Sequence, residues 1–480
     1  MSIRFPIMLA RSRPGLANNA AIVSGLFAAG FALRFFHYAR DPALWHDEAA
    51  NVLNILGKSF SELLGPLYVS STGPPVFLWL QKCAFLLLGD SLYALRLVSL
   101  LASCAGLIVF LRAARMTLAP VGLLSAGVLV ACSDRLLWHA AEARHYSSDF
   151  FVGAILLLAL GLTTSWTSAR RAFLFALLAP LVIFSSYPGV FLCGGVFLAL
   201  WPTLRRDRAW AAAGLFAFSV ALSFAVFYFF TIRAQRSPAM DSAWVHAFPD
   251  WQRPWTLPLW AARSTMSVFD FIGRPLGGLL LIPAVVGGVW WWRRGQHELL
   301  SFAVVPMLLA LTAALAKAYP YTGARTMVFA MPALALLVGS GVDEIVRWRP
   351  RAVAFRVLAL VLITIPLVAT VGLAGYRTVV PWPRAATDLA STYVLSHRQA
   401  DEPVTANHWE YEYYFRFLGA QFSPELGGLA QVPRAPRVWV VVSGHPRATR
   451  DEVIASELQN WRIVERREFE RTSVLLVTPR

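Results

Sequence analysis

The sequence predicts an all-α polytopic membrane domain of about eleven transmembrane helices with outer interfacial helices, followed by a small C-terminal α/β extracytoplasmic domain. Three observations predict this class. Of the 480 residues, 57% are hydrophobic and only 15% are charged, whereas a soluble protein of this length exposes far more charge. Apolar runs of about 16 to 22 residues recur through the first three quarters, close to the roughly 20 that cross a bilayer. Arginines cluster in short segments between those runs.

The same composition excludes other classes of protein. A net charge of +16 is also typical of nucleic-acid binding, but here the arginines flank apolar runs, where they orient a membrane protein. The basic N-terminal segment precedes the first apolar run without a small-residue cleavage site, which indicates an uncleaved anchor. Metal-ligand and disulfide spacings are absent among the cysteines, so we expect buried thiols. These are Cys83, Cys104, Cys132 and Cys193.

The distribution of arginine gives a topology. If the segment with Arg4, Arg11 and Arg13 is cytoplasmic, Asp47 and Glu48 emerge on the outer side after the first span. The predicted spans lie near 18–37, 92–111, 118–136, 148–164, 172–185, 189–203, 210–231, 276–292, 298–316, 325–342 and 353–375.

One apolar run is excluded from the spans. Residues 74–89 are short for a span and carry Gln81 and Lys82 in mid-run, so we expect a helix in the outer interface. Every later basic cluster then falls in a short cytoplasmic loop. These clusters are Arg112 and Arg115, Arg170 and Arg171, Arg205, Arg206 and Arg208, Arg293 and Arg294, and Arg347, Arg349 and Arg351. If residues 74–89 crossed the membrane, every one of these clusters would face outward.

The chain changes character after about residue 375. We expect residues 1–375 to form the membrane domain and residues 376–480 to form the extracytoplasmic α/β domain. Residues 382–398 and 407–419 have helical patterns. Three β-branched runs predict strands, namely RVWVVVSG, WRIVERREF and RTSVLLVTP.

Two acidic segments fall on the predicted outer face. Asp47 and Glu48 form either an acidic interfacial loop or a functional site, with a general base or an acceptor-positioning carboxylate. In WHAAEARHYSSD, a helical conformation would place Glu142, His145 and Tyr146 on one face and point Arg144 elsewhere. Glu142 is a candidate ligand of a metal or an acceptor, Arg144 a candidate phosphate ligand, and helix capping the alternative.

Two basic segments share that face. Lys82 and Arg96 either reach an anionic headgroup or snorkel to the interface. In KAYPYTGARTMVF, Tyr319 and Tyr321 are ordinary interfacial residues. Arg325, however, begins an apolar run, where a cation is costly unless it meets an anion. The long outer loop 232–275 contains Trp244, Trp251, Trp255 and Trp260. These tryptophans predict an aromatic belt at the membrane interface, and stacking on the acceptor is the alternative.

These motifs, taken in order, resemble the GT-C superfamily of polytopic glycosyltransferases, in its protein-mannosyltransferase-like and aminoarabinose-transferase-like branch. WHDEAANVL is similar to the first-loop DE motif, TGPPVFLWLQK to the interfacial helix, and SLYALRLVSLLAS to the span after it. HAAEARHYSSDFF is similar to the second-loop acidic motif, and ARTMVFAMPALALL to a late span. The resemblance covers roughly residues 20–345. It departs at Gly73, where many relatives have histidine.

The resemblance implies a sugar donor on polyprenyl phosphate and direct attack with inversion. It assigns Asp47 as the base and Glu48 as its support, and lets Glu142 position the acceptor or a metal. Arg144 and Arg325 hold the lipid phosphate in this scheme. Lys82 and Arg96 are weaker candidates for the same role, and further substrate-binding candidates are His145, Tyr146, Tyr319 and Tyr321.

The sequence leaves alternatives for the cofactor, the partners and the class of protein. No cofactor is certain, and a divalent cation is a candidate, with Asp47 and Glu142 as its ligands. The expected partners are a polyprenyl-phosphate-linked sugar, a lipid, glycan or protein acceptor and the membrane, without nucleic acid. The expected location is the plasma or inner membrane of the cell, with an extracytoplasmic active site. The rival class is a lipid flippase or other multi-span transporter without covalent chemistry, which more often carries mid-membrane ionisable groups and inverted repeats.

Overall fold

The structure is a computed structural model that describes residues 16–348, 353–424, 435–444 and 446–480. Five arginines of the predicted cytoplasmic clusters lie outside the described residues: Arg4, Arg11, Arg13, Arg349 and Arg351.

The first part of the chain is helical. Its first ten helices are α1 (Leu16–Ala39), α2 (His46–Gly57), α3 (Pro75–Leu88), α4 (Leu92–Thr117), α5 (Pro120–Ala131), α6 (Asp134–Ala140), α7 (Tyr146–Leu162), α8 (Ser168–Ser185), α9 (Gly189–Arg206) and α10 (Trp210–Phe227). The next seven are α11 (Arg233–Gln235), α12 (Pro238–Ala243), α13 (Leu257–Ile272), α14 (Leu281–Arg293), α15 (His297–Leu315), α16 (Met331–Arg347) and α17 (Val353–Val379). A π-helical segment, Tyr228–Ile232, follows α10, and a 3-10 segment, Arg325–Ala330, leads into α16.

The apolar helices match the predicted spans. Among the residues that the structure describes, seven helices are long and apolar enough to cross a membrane, or up to nine if each of two bent pairs is one span. Those pairs are α5 with α6, bent by 47°, and Pro254–Ile272 with Gly277–Arg293, bent by 104°. The other two of the eleven predicted spans fall on α7, a shorter apolar helix, and on α9, neither of which belongs to this set. The fold is that of a multi-pass membrane protein, as predicted.

Helix α3 matches the predicted interfacial helix. It has 14 residues, about 21 Å at 1.5 Å per residue, whereas a bilayer core is about 30 Å thick. Pro74 and Pro75 precede or begin the helix because proline is tolerated in the first turn, where its missing N–H group has no intrahelical partner.

Both ends of α5 are capped by charged side chains from other helices. The Asp343 carboxylate on α16 accepts hydrogen bonds from the backbone N–H groups of Ala119 and Gly122, at 2.7 and 2.8 Å. At the other end, the Arg34 guanidinium on α1 donates to the carbonyls of Val130 and Ala131, at 3.1 and 3.2 Å. An anion at the helix N-terminus and a cation at its C-terminus oppose the helix dipole and satisfy groups that lipid cannot.

The C-terminal part is a small α/β unit, as predicted. Its helices are α18 (Thr387–His397), α19 (Glu410–Phe415) and α20 (Arg447–Glu457), and its strands are β1 (Val404–Ala406), β2 (Phe422–Pro424), β3 (Val438–Ser443), β4 (Trp461–Phe469) and β5 (Thr472–Pro479). The sheet order is β2-β1-β3-β5-β4. Strands β1, β2 and β3 are parallel, whereas β5 pairs antiparallel with β3 and β4. Helices α18 and α19 contribute to the core on one face of the sheet, and α20 to the core on the other.

The C-terminal unit packs against the segment between α1 and α2. The Tyr414 hydroxyl lies 3.0 Å from the backbone nitrogen of Leu44 and accepts its hydrogen bond. The Trp409 indole donates to the carbonyl of His46 at 2.8 Å, and the Tyr413 hydroxyl donates to the carbonyl of Asp90 at 2.7 Å. These contacts hold the acidic segment of the first loop between the helical bundle and the sheet.

Candidate active site

The acidic pair begins helix α2, and its two members face different surroundings. Trp45 is the residue before the first turn, and Asp47 and Glu48 lie within that turn. Consecutive residues of an α-helix point about 100° apart. Asp47 therefore stays half-buried, with 30% of its side chain exposed, whereas Glu48 is completely buried.

Glu48 is surrounded by hydrogen-bond donors. Its Oε1 accepts from Arg96 Nε at 2.6 Å and from the Ala143 backbone nitrogen at 2.9 Å. Its Oε2 accepts from Arg96 Nη2 and Arg384 Nη1, each at 3.0 Å. Burial opposes the charged carboxylate, but the two guanidinium groups together hold the pKa of Glu48 below its ordinary value. Glu48 thus joins α4, the loop between α6 and α7, and the C-terminal unit.

This arrangement changes the interpretation of Arg96. Its Nη1 donates to Asp41 at 2.7 Å and its Nη2 to the Pro42 carbonyl at 2.7 Å, in addition to the two bonds to Glu48. The side chain has no exposed surface. Arg96 is therefore a buried partner of carboxylates, and its geometry does not fit the predicted contact with a lipid headgroup.

Asp47 contacts both of the arginines that were predicted to hold the phosphate, Arg144 and Arg325. Its carboxylate forms an ion pair with Arg325. Arg144 Nη1 donates to the Asp47 carbonyl at 3.2 Å and to Ser71 Oγ at 3.1 Å, and its Nη2 lies 3.4 Å from the Tyr146 hydroxyl. Arg144 was expected to point away from the face of Glu142, His145 and Tyr146. That expectation is wrong because residues 141–145 form a turn between α6 and α7 instead of a helix.

Both of these guanidinium groups keep unused donors. Within the described residues, the buried Nε atoms of Arg144 and Arg325 have no hydrogen-bond partner. Arg325 is also surrounded by aromatic rings, with its guanidinium carbon 5.5, 5.6 and 5.7 Å from the ring centres of Trp45, Tyr146 and Trp244. Cations held by aromatic rings with N–H groups still to be satisfied form a site suited to an anion such as phosphate.

Glu142 is buried, and both of its oxygens have hydrogen-bond partners. Oε1 accepts from the Trp45 indole at 3.1 Å, and Oε2 lies 2.8 Å from His139 Nδ1. Among the described residues, neither Glu142 nor Asp47 belongs to a group of three metal-ligating side chains. Their role as metal ligands stays a prediction, and Glu142 holds the Trp45 ring beside Arg325.

The remaining predicted residues divide between the site and its surroundings. His145 is buried beside the Tyr146 ring, at 4.5 Å between ring centres. Burial, followed by the charges of Arg144 and Arg325, holds the pKa of His145 well below its ordinary value, so the ring is neutral at pH 7. Tyr319 donates to the Thr326 carbonyl at 2.6 Å and so stabilises the loop next to Arg325.

Tyr321 and Lys82 do not reach the Asp47 cluster. The Tyr321 hydroxyl lies 2.9 Å from Thr265 Oγ1, and its ring is buried. Lys82 Nζ donates to the Ile55 carbonyl at 2.7 Å and lies over the Phe85 ring. Contacts with a substrate were predicted for both, but these bonds direct their polar atoms into the protein.

Several residues of the site were not predicted. Ser71 bonds Arg144, His139 bonds Glu142, and Arg384 bonds Glu48. Arg384 carried no usable signal because it lies beyond the segments that resemble GT-C motifs. His139 lies inside the acidic motif, so its i, i+3 spacing to Glu142 could have identified it.

In this helical membrane bundle, a carboxylate and two arginines lie against aromatic rings, a combination that suits the binding of an anion. The fold is similar to that of ArnT from Cupriavidus metallidurans, solved bound to undecaprenyl phosphate, with 14% identity, a TM-score of 0.55 and coverage of 97% of this chain and 98% of that one. It is also similar to the Archaeoglobus fulgidus oligosaccharyltransferase, solved with Zn and sulfate, with 13% identity, a TM-score of 0.50 and coverage of 88% of this chain and 68% of that one. The resemblance to GT-C glycosyltransferases is confirmed at the level of the fold.

Comparisons by sequence identify no relative of the chain. No protein-family model matches the chain, and no curated protein matches it.

Proposed function

We propose that this chain is a membrane glycosyltransferase that moves a sugar from a polyprenyl-phosphate donor to a lipid, glycan or protein acceptor. The observation that carries the proposal is the Asp47 cluster: a half-exposed carboxylate beside Arg144 and Arg325, whose buried Nε atoms have no partner among the described residues. One base and two cations are what displacement of a phosphate leaving group requires.

The reaction follows from these groups. Asp47 takes the proton of the acceptor hydroxyl as that oxygen bonds to the anomeric carbon. The bond from the anomeric carbon to the phosphate oxygen breaks, and the electron pair leaves with the polyprenyl phosphate. Arg144 and Arg325 stabilise the charge that develops on this phosphate. Attack from the side opposite the leaving group inverts the configuration at the anomeric carbon.

The Asp47–Arg325 ion pair has a place in this scheme. The donor phosphodiester carries one negative charge, gains a second as its bond to the anomeric carbon breaks, and accepts bidentate hydrogen bonds from arginine. Binding of the donor phosphate therefore draws Arg325 away from Asp47, and the released carboxylate can accept the proton. The similarity of the fold to that of ArnT supports the donor class, since ArnT was solved bound to undecaprenyl phosphate.

The supporting roles divide between Glu48 and Glu142. Glu48 fixes the first turn of α2 through Arg96 and Arg384. Glu142 holds Trp45, which is one wall of the Arg325 pocket. In our proposal neither carboxylate reacts, and both act as positioning residues.

We further propose that the site opens on the outer face of the plasma or inner membrane, and that residues 376–480 form a separate extracytoplasmic domain. The orientation rests on the arginine-rich loops at the other ends of the helices. One ion pair supports the placement of two of these loops on the same side of the membrane. Arg171, at the start of α8, donates two hydrogen bonds to Glu298, at the start of α15, at 2.7 and 2.8 Å. Cysteine labelling at position 47 and position 170 in sealed vesicles tests this orientation.

The function is tested with purified protein in liposomes that contain a radiolabelled sugar on polyprenyl phosphate and a membrane lipid extract as acceptor. We expect transfer of the label and release of polyprenyl phosphate by the wild type, and no transfer by Asp47→Asn. Movement of the intact donor between leaflets without release of polyprenyl phosphate would instead identify a flippase and overturn the proposal.

A further inference from the structure

Three side chains with metal-binding groups meet where the C-terminal unit contacts the first loop. His46, His408 and Glu410 each offer one ligand atom, and these atoms lie within 4.8 Å of one another. His46 Nδ1 lies 2.8 Å from Glu410 Oε2, and the two histidine rings lie 4.2 Å apart between centres. The reaction proposed above uses none of these three side chains.

We propose that His46, His408 and Glu410 bind a zinc ion. Two imidazoles and one carboxylate are a common ligand set for Zn²⁺, usually completed by a water molecule. Bond lengths of about 2.0 to 2.2 Å place tetrahedral ligand atoms about 3.3 Å apart. Side-chain rotations can bring atoms within 4.8 Å of one another to that spacing. The His46 side chain is 38% exposed, so an ion and a water molecule can reach it from the solvent.

The backbone holds the ligands in place from both sides. His408 and Glu410 follow strand β1, close to the end of the parallel strand β3, and Glu410 is the first residue of helix α19. Trp409 stacks on the His46 ring at 4.6 Å and donates its indole N–H group to the His46 carbonyl at 2.8 Å. Gly444, which follows β3, has φ +97° and leaves room for His408, since a Cβ atom there would lie 2.9 Å from its Nε2.

This site is separate from the Asp47 cluster. The Asp47 carboxylate is paired with Arg325, whereas the His46 ring turns toward the C-terminal unit. Glu410 is buried, and its negative charge and hydrogen bond outweigh the burial of His46 and raise the pKa of that histidine. A divalent cation would neutralise the same carboxylate while it joins both segments. Zinc would therefore fasten the C-terminal unit to the turn that carries Asp47, whatever reaction Asp47 performs.

The ligands are tested by titrating the full-length protein with Co²⁺, after purification without a polyhistidine tag and treatment with a chelator. Co²⁺ replaces Zn²⁺ and gives visible absorption bands that depend on its ligands. We expect one Co²⁺ per chain, displaced by Zn²⁺. Loss of a supporting residue around a metal costs about 10- to 100-fold in affinity, so His408→Ala and Glu410→Gln, which remove direct ligands, are each expected to weaken binding by at least about 100-fold.

Two comparisons make the test decisive. His397→Ala removes an exposed histidine of the same unit outside the cluster and is expected to bind Co²⁺ like the wild type. Glu410→Gln keeps a polar partner for His46, so it is expected to fold, and Zn²⁺ should raise the unfolding temperature of the wild type but not of this variant. Failure of the wild type to bind one ion, or unchanged binding and thermal shift in Glu410→Gln, would overturn the proposal.

Discussion

The Asp47 and Glu48 clusters begin at neighbouring residues of one helix, yet their carboxylates differ in exposure and in hydrogen bonding. Around Asp47, the carboxylate is half-exposed and forms an ion pair with Arg325, whose side chain is itself partly exposed. Around Glu48, no part of the carboxylate is exposed and both oxygens have two donors each. The difference indicates that one cluster is built to bind something and the other to hold the protein together.

The cost of losing each carboxylate differs for the same reason. A buried charge left without its partner is strongly destabilising, typically by about 3 to 5 kcal/mol. Glu48 neutralises Arg96 and Arg384, which are both buried. Arg325 is 26% exposed, so water can solvate it when Asp47 is changed. Substitutions in the two clusters should therefore affect different measurements.

The largest effect is expected for Asp47→Asn on sugar transfer. Asparagine keeps the shape of the side chain but cannot take a proton, so the turnover rate should fall by about 10²- to 10⁴-fold, the usual contribution of a general base. Turnover is measured with polyprenyl-phosphate-linked sugar at saturating acceptor concentration. The denaturant-induced unfolding of the variant in detergent should match that of the wild type. Transfer at the wild-type rate would remove Asp47 from the base position.

The Glu48→Gln substitution tests the other cluster. The neutral amide leaves Arg384 buried without its counter-charge and leaves Arg96 with Asp41 as its carboxylate partner, so the free energy of unfolding should fall by about 3 to 5 kcal/mol. Denaturant titration in detergent micelles measures this loss. The matched control is Glu412→Gln, because Glu412 has one hydrogen bond, to Tyr68 at 2.7 Å, and its loss should cost at most about 1.5 kcal/mol. Equal losses in the two variants would contradict a special role for the Glu48 cluster.

The sequence was sufficient to predict which segments form long apolar helices and that Asp47, Arg144 and Arg325 lie close together. Apolar length decides the spans, because lipid leaves the backbone no alternative to helix. The convergence of Asp47, Arg144 and Arg325 follows from their position at the same ends of neighbouring helices. The sequence could not separate Asp47 from Glu48, because the two differ only in what surrounds them. That depends on Arg384, which lies more than 300 residues away along the chain.

The same limit explains the outcome for the other basic residues. Arg96, Lys82 and Arg325 all lie near helix ends in the sequence, where each could meet a headgroup. Only the structure shows that Arg96 forms an ion pair with Glu48 and that Lys82 donates a hydrogen bond to the Ile55 carbonyl. It also shows that the Nε atom of Arg325 has no hydrogen-bond partner among the described residues.

The Arg325→Lys substitution tests whether the Asp47 cluster binds the phosphate of the donor. Lysine keeps the charge but loses the planar fork that binds a phosphate through two parallel hydrogen bonds. The affinity for the polyprenyl-phosphate donor should fall by about 10-fold, equivalent to about 1.4 kcal/mol. Binding is measured by competition with polyprenyl phosphate. The control is Arg253→Lys, an arginine with 70% of its side chain exposed, which should leave the affinity unchanged; equal effects of both changes would contradict a phosphate site at Arg325.

The smallest effect is expected for Lys82→Met, which tests a cation outside both clusters. Methionine keeps the apolar contacts of the side chain and removes one hydrogen bond, to the Ile55 carbonyl. Because a buried ammonium group also carries a desolvation cost, the net loss in the free energy of unfolding should be about 1 kcal/mol. The donor affinity should stay at the wild-type value, since Nζ points to the backbone of α2. A loss of donor affinity as large as that in Arg325→Lys would place Lys82 on the phosphate and extend the binding cluster from the Asp47 side to α3.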